Sequence, residues 1–128
     1  MPDTFPACAS ILLVDSDPLT RTILCETLER AGHVVLTTSD LGAAVDRLKR
    51  LRPDLLIVRP YINSMPGPMA AQYLRSMCPG LPVLIVDGFM DDDRIHAQNA
   101  AHNFHIFPKL FGADELLDKV REILRTHS

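Results

Sequence analysis

Tryptophan is absent from the 128-residue chain and aromatic residues make up only 5% of it. That leaves no platform of stacking rings of the kind that single-stranded nucleic-acid binders use. Positive charge is not in excess either. The 13 Lys and Arg stand against 16 Asp and Glu, a formal charge of −3, so no global basic field points to nucleic acid. Cysteine is scarce: Cys8, Cys25 and Cys78 have no metal-ligand spacing and cannot all pair, which fits a reduced, cytoplasmic chain. The five histidines show no ligand spacing. No apolar run approaches the ~20 residues of a membrane span, and Met1 to Ser10 lack the basic-then-apolar order of a secretory signal. Repeats, low-complexity segments and linkers are missing. What is present is 47% apolar and 23% charged, over a length that suits one domain. Residues 1–10 read as a tail and 11–128 as the folded unit.

Apolar runs alternate with helix-period segments throughout. Ile11 to Val14 is continuously apolar, as in a strand buried on both faces of a parallel sheet. Asp17-Pro18 reads as an N-cap followed by proline in the first helical turn. Ile23, Leu24, Leu28 and Ala31 are the expected buried face of that helix, with Gly32 ending it. His33 to Thr38 is a second strand. Ser39 or Asp40 caps a helix with Leu41, Ala44, Val45, Leu48 and Leu51 on one stripe, stopped by Pro53. Asp54 to Val58 is a third strand, Tyr61 to Pro68 a loop, and Ala70, Tyr73, Leu74 and Met77 mark a third helix closed by Pro79-Gly80. Pro82 to Val86 is a fourth strand. A fourth helix starts at Asp91 to Asp93 with a thin face of Ala97, Ala100 and Ala101, Phe104 to Phe107 is a fifth strand, and Ala113 to Arg125 is the last helix. Five strands alternating with five helices imply an α/β fold, a doubly wound five-stranded parallel sheet, whose ligands sit beyond the carboxyl ends of the strands.

Those ends carry Asp15, Ser16 and Asp17 after the first strand, Arg59 after the third, Asp87 and Gly88 after the fourth, and Lys109 after the fifth. This order, with ILLVDSDP, HVV after Gly32, RPDLLIV, MPG at Met65 to Gly67 and LPVLIV, resembles the bacterial response-regulator receiver domain of two-component signalling, the CheY-like superfamily. The resemblance spans about Ser10 to Arg125. It implies a flavodoxin-like, receiver-type fold and membership of a phosphorelay.

The resemblance also implies a metal-holding acid pair, a phospho-accepting aspartate, a hydroxyl residue and a lysine. Here those places fall on Asp15 and Ser16, on Arg59, on Asp87 and on Lys109. The acceptor position thus holds an arginine, which is no nucleophile and repels a cation. Mg²⁺ wants several oxygen ligands. No cofactor is therefore expected, and Asp15 and Asp17 are the weak candidates for a metal. The expected module is a degenerate receiver with no turnover, in which Arg59 forks onto a carboxylate beside Asp15, Asp87 and Lys109 and takes the place of the metal. Its partner would be a protein, a histidine kinase or a second copy. The face expected to meet it is formed by the fourth helix, fifth strand and last helix: Arg94, Ala97, Ala101, Ile106, Asp118 and Lys119. Nucleic acid and membrane are not expected partners of this chain. The alternative is a haloacid-dehalogenase-type phosphohydrolase, with Asp15 as nucleophile and Asp17 as general acid, which ILLVDSDPLT resembles.

Overall fold

β1 (Ser10–Val14) is flanked on both sides, by β2 (Val34–Thr38) and β3 (Leu55–Val58), and its apolar run follows from that central place. The computed structural model describes residues 9–59, 61–86, 105–107 and 113–126. β6 (Val83–Val86) and β7 (His105–Phe107) complete a five-stranded sheet in the order β2-β1-β3-β6-β7, with every pair parallel. Alternate side chains of the inner strands feed two cores. Leu12, Val14, Leu56, Val58 and Ile85 pack beneath α2 (Leu41–Leu48) and α3 (Gly67–Met77). Ile11, Leu13, Leu55, Ile57 and Leu84 pack beneath α1 (Pro18–Arg30) and α4 (Ala113–Thr126). The expected fold class is the observed one. Four helices lie among the described residues, and the stretch expected to form another helix, from Asp91 to Ala101, lies outside them.

The helix starts follow local chemistry. Asp17 caps α1 by accepting from the Thr20 amide at 3.1 Å, with Pro18 in the first turn where a missing N–H costs nothing. Asp40, not Ser39, caps α2, accepting from the Ala43 amide at 2.8 Å. Gly32 follows α1 with φ 96, a left-handed backbone that favours glycine.

Three expectations change. Tyr61 to Pro68 is not a plain loop: β4 (Tyr61–Ile62) and β5 (Met65–Pro66) form an antiparallel hairpin, and α3 begins at Gly67. The two-residue turn places Asn63 at φ 57, a conformation asparagine tolerates better than most residues. α2 ends at Leu48, so Leu51 lies beyond the helix. Ile23, Tyr73 and Met77 do not face the core. They are exposed, while Leu24 and Leu28 of α1 and Gly67, Pro68, Ala70, Ala71 and Leu74 of α3 are the buried residues of those helices. Alternation of apolar residues at helical spacing does not say which side of a wide stripe meets the sheet.

Candidate functional site

Between β1 and β3 the chain reverses its direction of winding, so their carboxyl ends flank the switch point of the sheet. Val14 is level with Val58, which places Asp15 and Arg59 together, one residue past each strand. Asp15 is 1% exposed, one of two buried polar residues among those described. Its amide donates to the Thr38 carbonyl at 3.0 Å, and its Oδ1 accepts from the Asp17 amide at 2.9 Å. Its Oδ2 is buried without a hydrogen-bond partner among the described residues. Burial raises the Asp15 carboxyl above its ordinary 3.8. The Asp17 amide bond and the charges of Arg59 and Arg21 offset only part of that effect, and the Asp17 charge adds to it.

Arg59 is half-buried, and its Nη1 donates to the Val86 carbonyl at 3.2 Å, tying the end of β3 to the end of β6. No hydrogen bond joins Arg59 to Asp15, and Asp87, the other carboxylate expected to receive its fork, lies outside the described residues. Arg59 acts on Asp15 through its charge, with Nη1 on the Val86 carbonyl, and Asp15 Oδ2 has no hydrogen-bond partner among the described residues. Ser16 does not point at a shared centre either, since its Oγ accepts from the Asn63 amide at 3.1 Å and joins the β1–α1 loop to the hairpin. Asp17 is committed to its cap, with both the hydroxyl and the amide of Thr20 donating to Oδ2, and these bonds hold its carboxyl below the usual 3.8.

Two contributors escape a reading of motifs. Arg21 donates from Nη1 to the Asp15 carbonyl at 2.8 Å, one helical turn into α1, and Asn63 clamps Ser16 from the hairpin. Only the spacing of Arg21 behind the Asp17 cap hints at the first; nothing in the chain order links Asn63 to Ser16. Asp87, Lys109, Arg94, Ala97 and Ala101 lie outside the described residues, and Ile106 is described only as backbone of β7. Asp118 and Lys119 are on α4, where Asp118 meets Arg121 at 3.9 Å and Lys119 meets Glu122 at 3.7 Å. No group of three or more His, Cys, Asp or Glu residues that could hold a metal occurs among the described residues. Nor is any of their helices long and apolar enough to cross a membrane.

A buried acid at the switch point of a β2-β1-β3-β6-β7 parallel sheet defines a class of doubly wound module with its site at the carboxyl edge. Comparison with known proteins narrows the class. The response regulator receiver domain family matches residues 11–121, and the chain belongs to that family. It is 29% identical over 117 residues to the probable transcriptional regulatory protein TcrX of Mycobacterium tuberculosis, covering 91% of this chain and 50% of that one. It is 30% identical over 116 residues to the response regulator MprA of Mycobacterium leprae, covering 90% and 50%. The chain thus spans about half the length of the curated relatives it matches. A signal receiver domain of an HD domain-containing protein from Pseudomonas fluorescens shares the fold, with a TM-score of 0.84 at 22% identity over 92% of this chain and 95% of that one. These similarities do not favour the phosphohydrolase reading of Asp15 and Asp17.

Proposed function

We propose that this receiver domain is degenerate at its acceptor site and signals by binding another protein, without taking up a phosphoryl group. One observation carries the reading. Arg59 stands at the end of β3, level with Asp15, and its guanidinium is anchored on the Val86 carbonyl. A guanidinium cannot accept a phosphoryl group, and its charge opposes a cation beside Asp15.

The residues present do not fit a magnesium ion. Such an ion needs several free oxygen ligands, whereas Asp15 offers one unengaged oxygen, Ser16 is clamped by Asn63, and Asp17 is turned to its helix. The positive charge that a metal would bring is supplied in part by Arg59 and Arg21, both of which favour the ionised form of Asp15. In this reading the partner is a cytoplasmic protein, a histidine kinase or a second copy, met through α4 and β7.

The test is incubation with acetyl phosphate and Mg²⁺, followed by intact-mass spectrometry, and a two-dimensional amide spectrum with beryllium fluoride and Mg²⁺. The expected result is no added mass and no shifted signals. A stoichiometric acid-labile phosphate on any aspartate overturns the proposal.

A further inference from the structure

β2 is an outer strand of the sheet, and its outer side is open. In the order β2-β1-β3-β6-β7 no described strand lies beyond it. Ile11 to Val14 of β1 and all of β3 and β6 are 0% exposed, whereas Val34 is 56% exposed and Val35, Leu36 and Thr37 are only half-buried. On the α1 side the strand is bordered by an open cleft of about 160 Å³, lined by Arg21, Thr22, Cys25, Glu26 and Thr37, so that helix leaves room beside it.

The backbone shows which groups are spare. The Val34 amide donates to the Ala9 carbonyl at 2.8 Å, and the Thr38 carbonyl accepts from the Asp15 amide at 3.0 Å. Between those ends the register with β1 is unbroken. The bonds of a parallel ladder fall on alternate residues of an edge strand. Val34, Leu36 and Thr38 therefore bond to β1, while Val35 and Thr37 turn their N–H and C=O outward. Among the described residues nothing receives those four groups. Open edges are commonly guarded by a charge, a proline or a bulge. β2 has none of these: it reads VVLTT, in continuous register.

We infer that two copies of this chain pair through β2, antiparallel across a two-fold axis at Leu36, which joins two five-stranded sheets into one. The register follows from the spare groups. An axis at Leu36 sets Val35 opposite Thr37 of the second copy, and Thr37 opposite its Val35. Both are outward residues, and each opposed pair exchanges two bonds, so all four spare groups of each copy are used. An axis at Val35 or Thr37 would bring one outward residue onto itself and set the other against a residue beyond the strand. The remaining opposites are Leu36 on Leu36 and Val34 on Thr38. Side chains alternate, so these meet on the α2 face and the Val35–Thr37 pairs on the α1 face. Cross-strand pairs of β-branched and aliphatic residues are favourable, and no charge lies on the strand to oppose itself across the axis. That self-complementarity selects a second copy as the occupant. The pairing uses the same edge of both copies, so it closes at a dimer.

The contact is at the other edge of the sheet from β7, and a phosphorylated aspartate would overturn the reading above and leave this one standing. The experiment uses the whole chain. Sedimentation velocity over about a hundredfold range of concentration should show a monomer passing to a dimer and to nothing larger. Thr37→Pro removes an outward donor that β1 does not use, and Val34→Lys puts a charge on the edge. Each should weaken the dimer about tenfold or more, while Lys119→Glu on α4 leaves it unchanged. Val34 is exposed, so Val34→Lys tests the edge even where Thr37→Pro unsettles the strand, and unchanged melting shows that the fold is kept. Leu36→Cys tests the register. The axis sets that position about 4.5 Å from its copy between Cα atoms, within the span of a disulfide, so mild oxidation should give a covalent dimer that peptide mapping assigns to position 36 of both chains. Val34→Cys, set opposite Thr38, should not link to itself. A chain that stays monomeric, growth beyond a dimer, or a dimer indifferent to both Thr37→Pro and Val34→Lys overturns the inference. So does a dimer lost in Lys119→Glu, which would assign it to the α4 face, or a disulfide at position 34 without one at position 36, which would assign it to another register.

Discussion

Replacing Asp15 by asparagine should stabilise the protein at neutral pH. In the parent, a carboxylate at 1% exposure keeps one oxygen bonded to the Asp17 amide and leaves the other buried without a partner. An unsatisfied buried polar atom costs about 1–3 kcal/mol, and more when it is charged. Asparagine keeps the carbonyl that receives the Asp17 N–H. It forfeits the attraction to Arg59 and Arg21, about 1 kcal/mol or less at half-exposed positions, and buries one neutral amide. The net expectation is a gain of about 1 kcal/mol, or about 3–5 °C in Tm for a domain of this size. The gain must depend on pH in a particular sense. The unfolded chain releases the Asp15 proton near 3.8, while the folded chain holds it to higher pH. Between those two values the native state carries more protons, so the parent's stability falls as pH rises through the interval and the penalty is complete above it. Thermal unfolding of parent and variant by circular dichroism, from about pH 4.5 to 8, should show the variant's advantage shrinking as pH falls. The difference removes other groups common to both proteins. A variant less stable than the parent at neutral pH, or an advantage that does not vary with pH, would refute the argument that Asp15 is a buried, uncompensated charge.

Arg59→Ala removes a charge-assisted bond to the Val86 carbonyl and a cation that favours ionised Asp15, and should cost about 1–2 kcal/mol. Part of that loss should vanish in the Asp15→Asn background, and chemical denaturation of the four proteins of the cycle tests it, with full additivity counting against any coupling. His33 is held below its ordinary 6.5, chiefly by burial and also by Arg121, and its Nδ1 accepts from the Ala9 amide at 3.1 Å. Protonation favours the unfolded chain there, so the parent should lose stability as pH falls below about 6.5. His33→Gln should flatten that slope in a urea titration at several pH values, and an unchanged slope would show that His33 is not its source.

Much of this architecture can be read from residue order because each inner strand is a continuous apolar run, a pattern that only a sheet covered on both faces accounts for. Asp17-Pro18 and Asp40 announce their helices through a local mechanism that needs no tertiary knowledge. The β4–β5 hairpin is invisible by the same logic, since two-residue strands carry no period. Ile23 and Tyr73 mislead because an apolar residue at helical spacing looks alike whether it meets the sheet or a partner. At the site, the identities of Asp15, Ser16 and Arg59 and their strand ends are plain in the chain. Their bonds are not: whether Arg59 turns to Asp15 or to Val86 depends on a carbonyl 27 residues away.

The two-sided core has a consequence for thiol chemistry. Cys78 is buried with the layer under α2 and α3, whereas Cys25 packs against the layer under α1 and α4. The sheet itself lies between the two thiols, each held with the core layer on its own face, so their Cα atoms cannot come within the ~7 Å that a disulfide spans. A bond between them therefore cannot form within one folded molecule. Its appearance under an oxidant would record the fraction of chains that had opened and closed wrongly. Alkylation of Cys78 in the reduced protein would proceed only as fast as the α3 side of the sheet lifts, which makes that thiol a clock for opening, with partly exposed Cys25 as its fast internal standard.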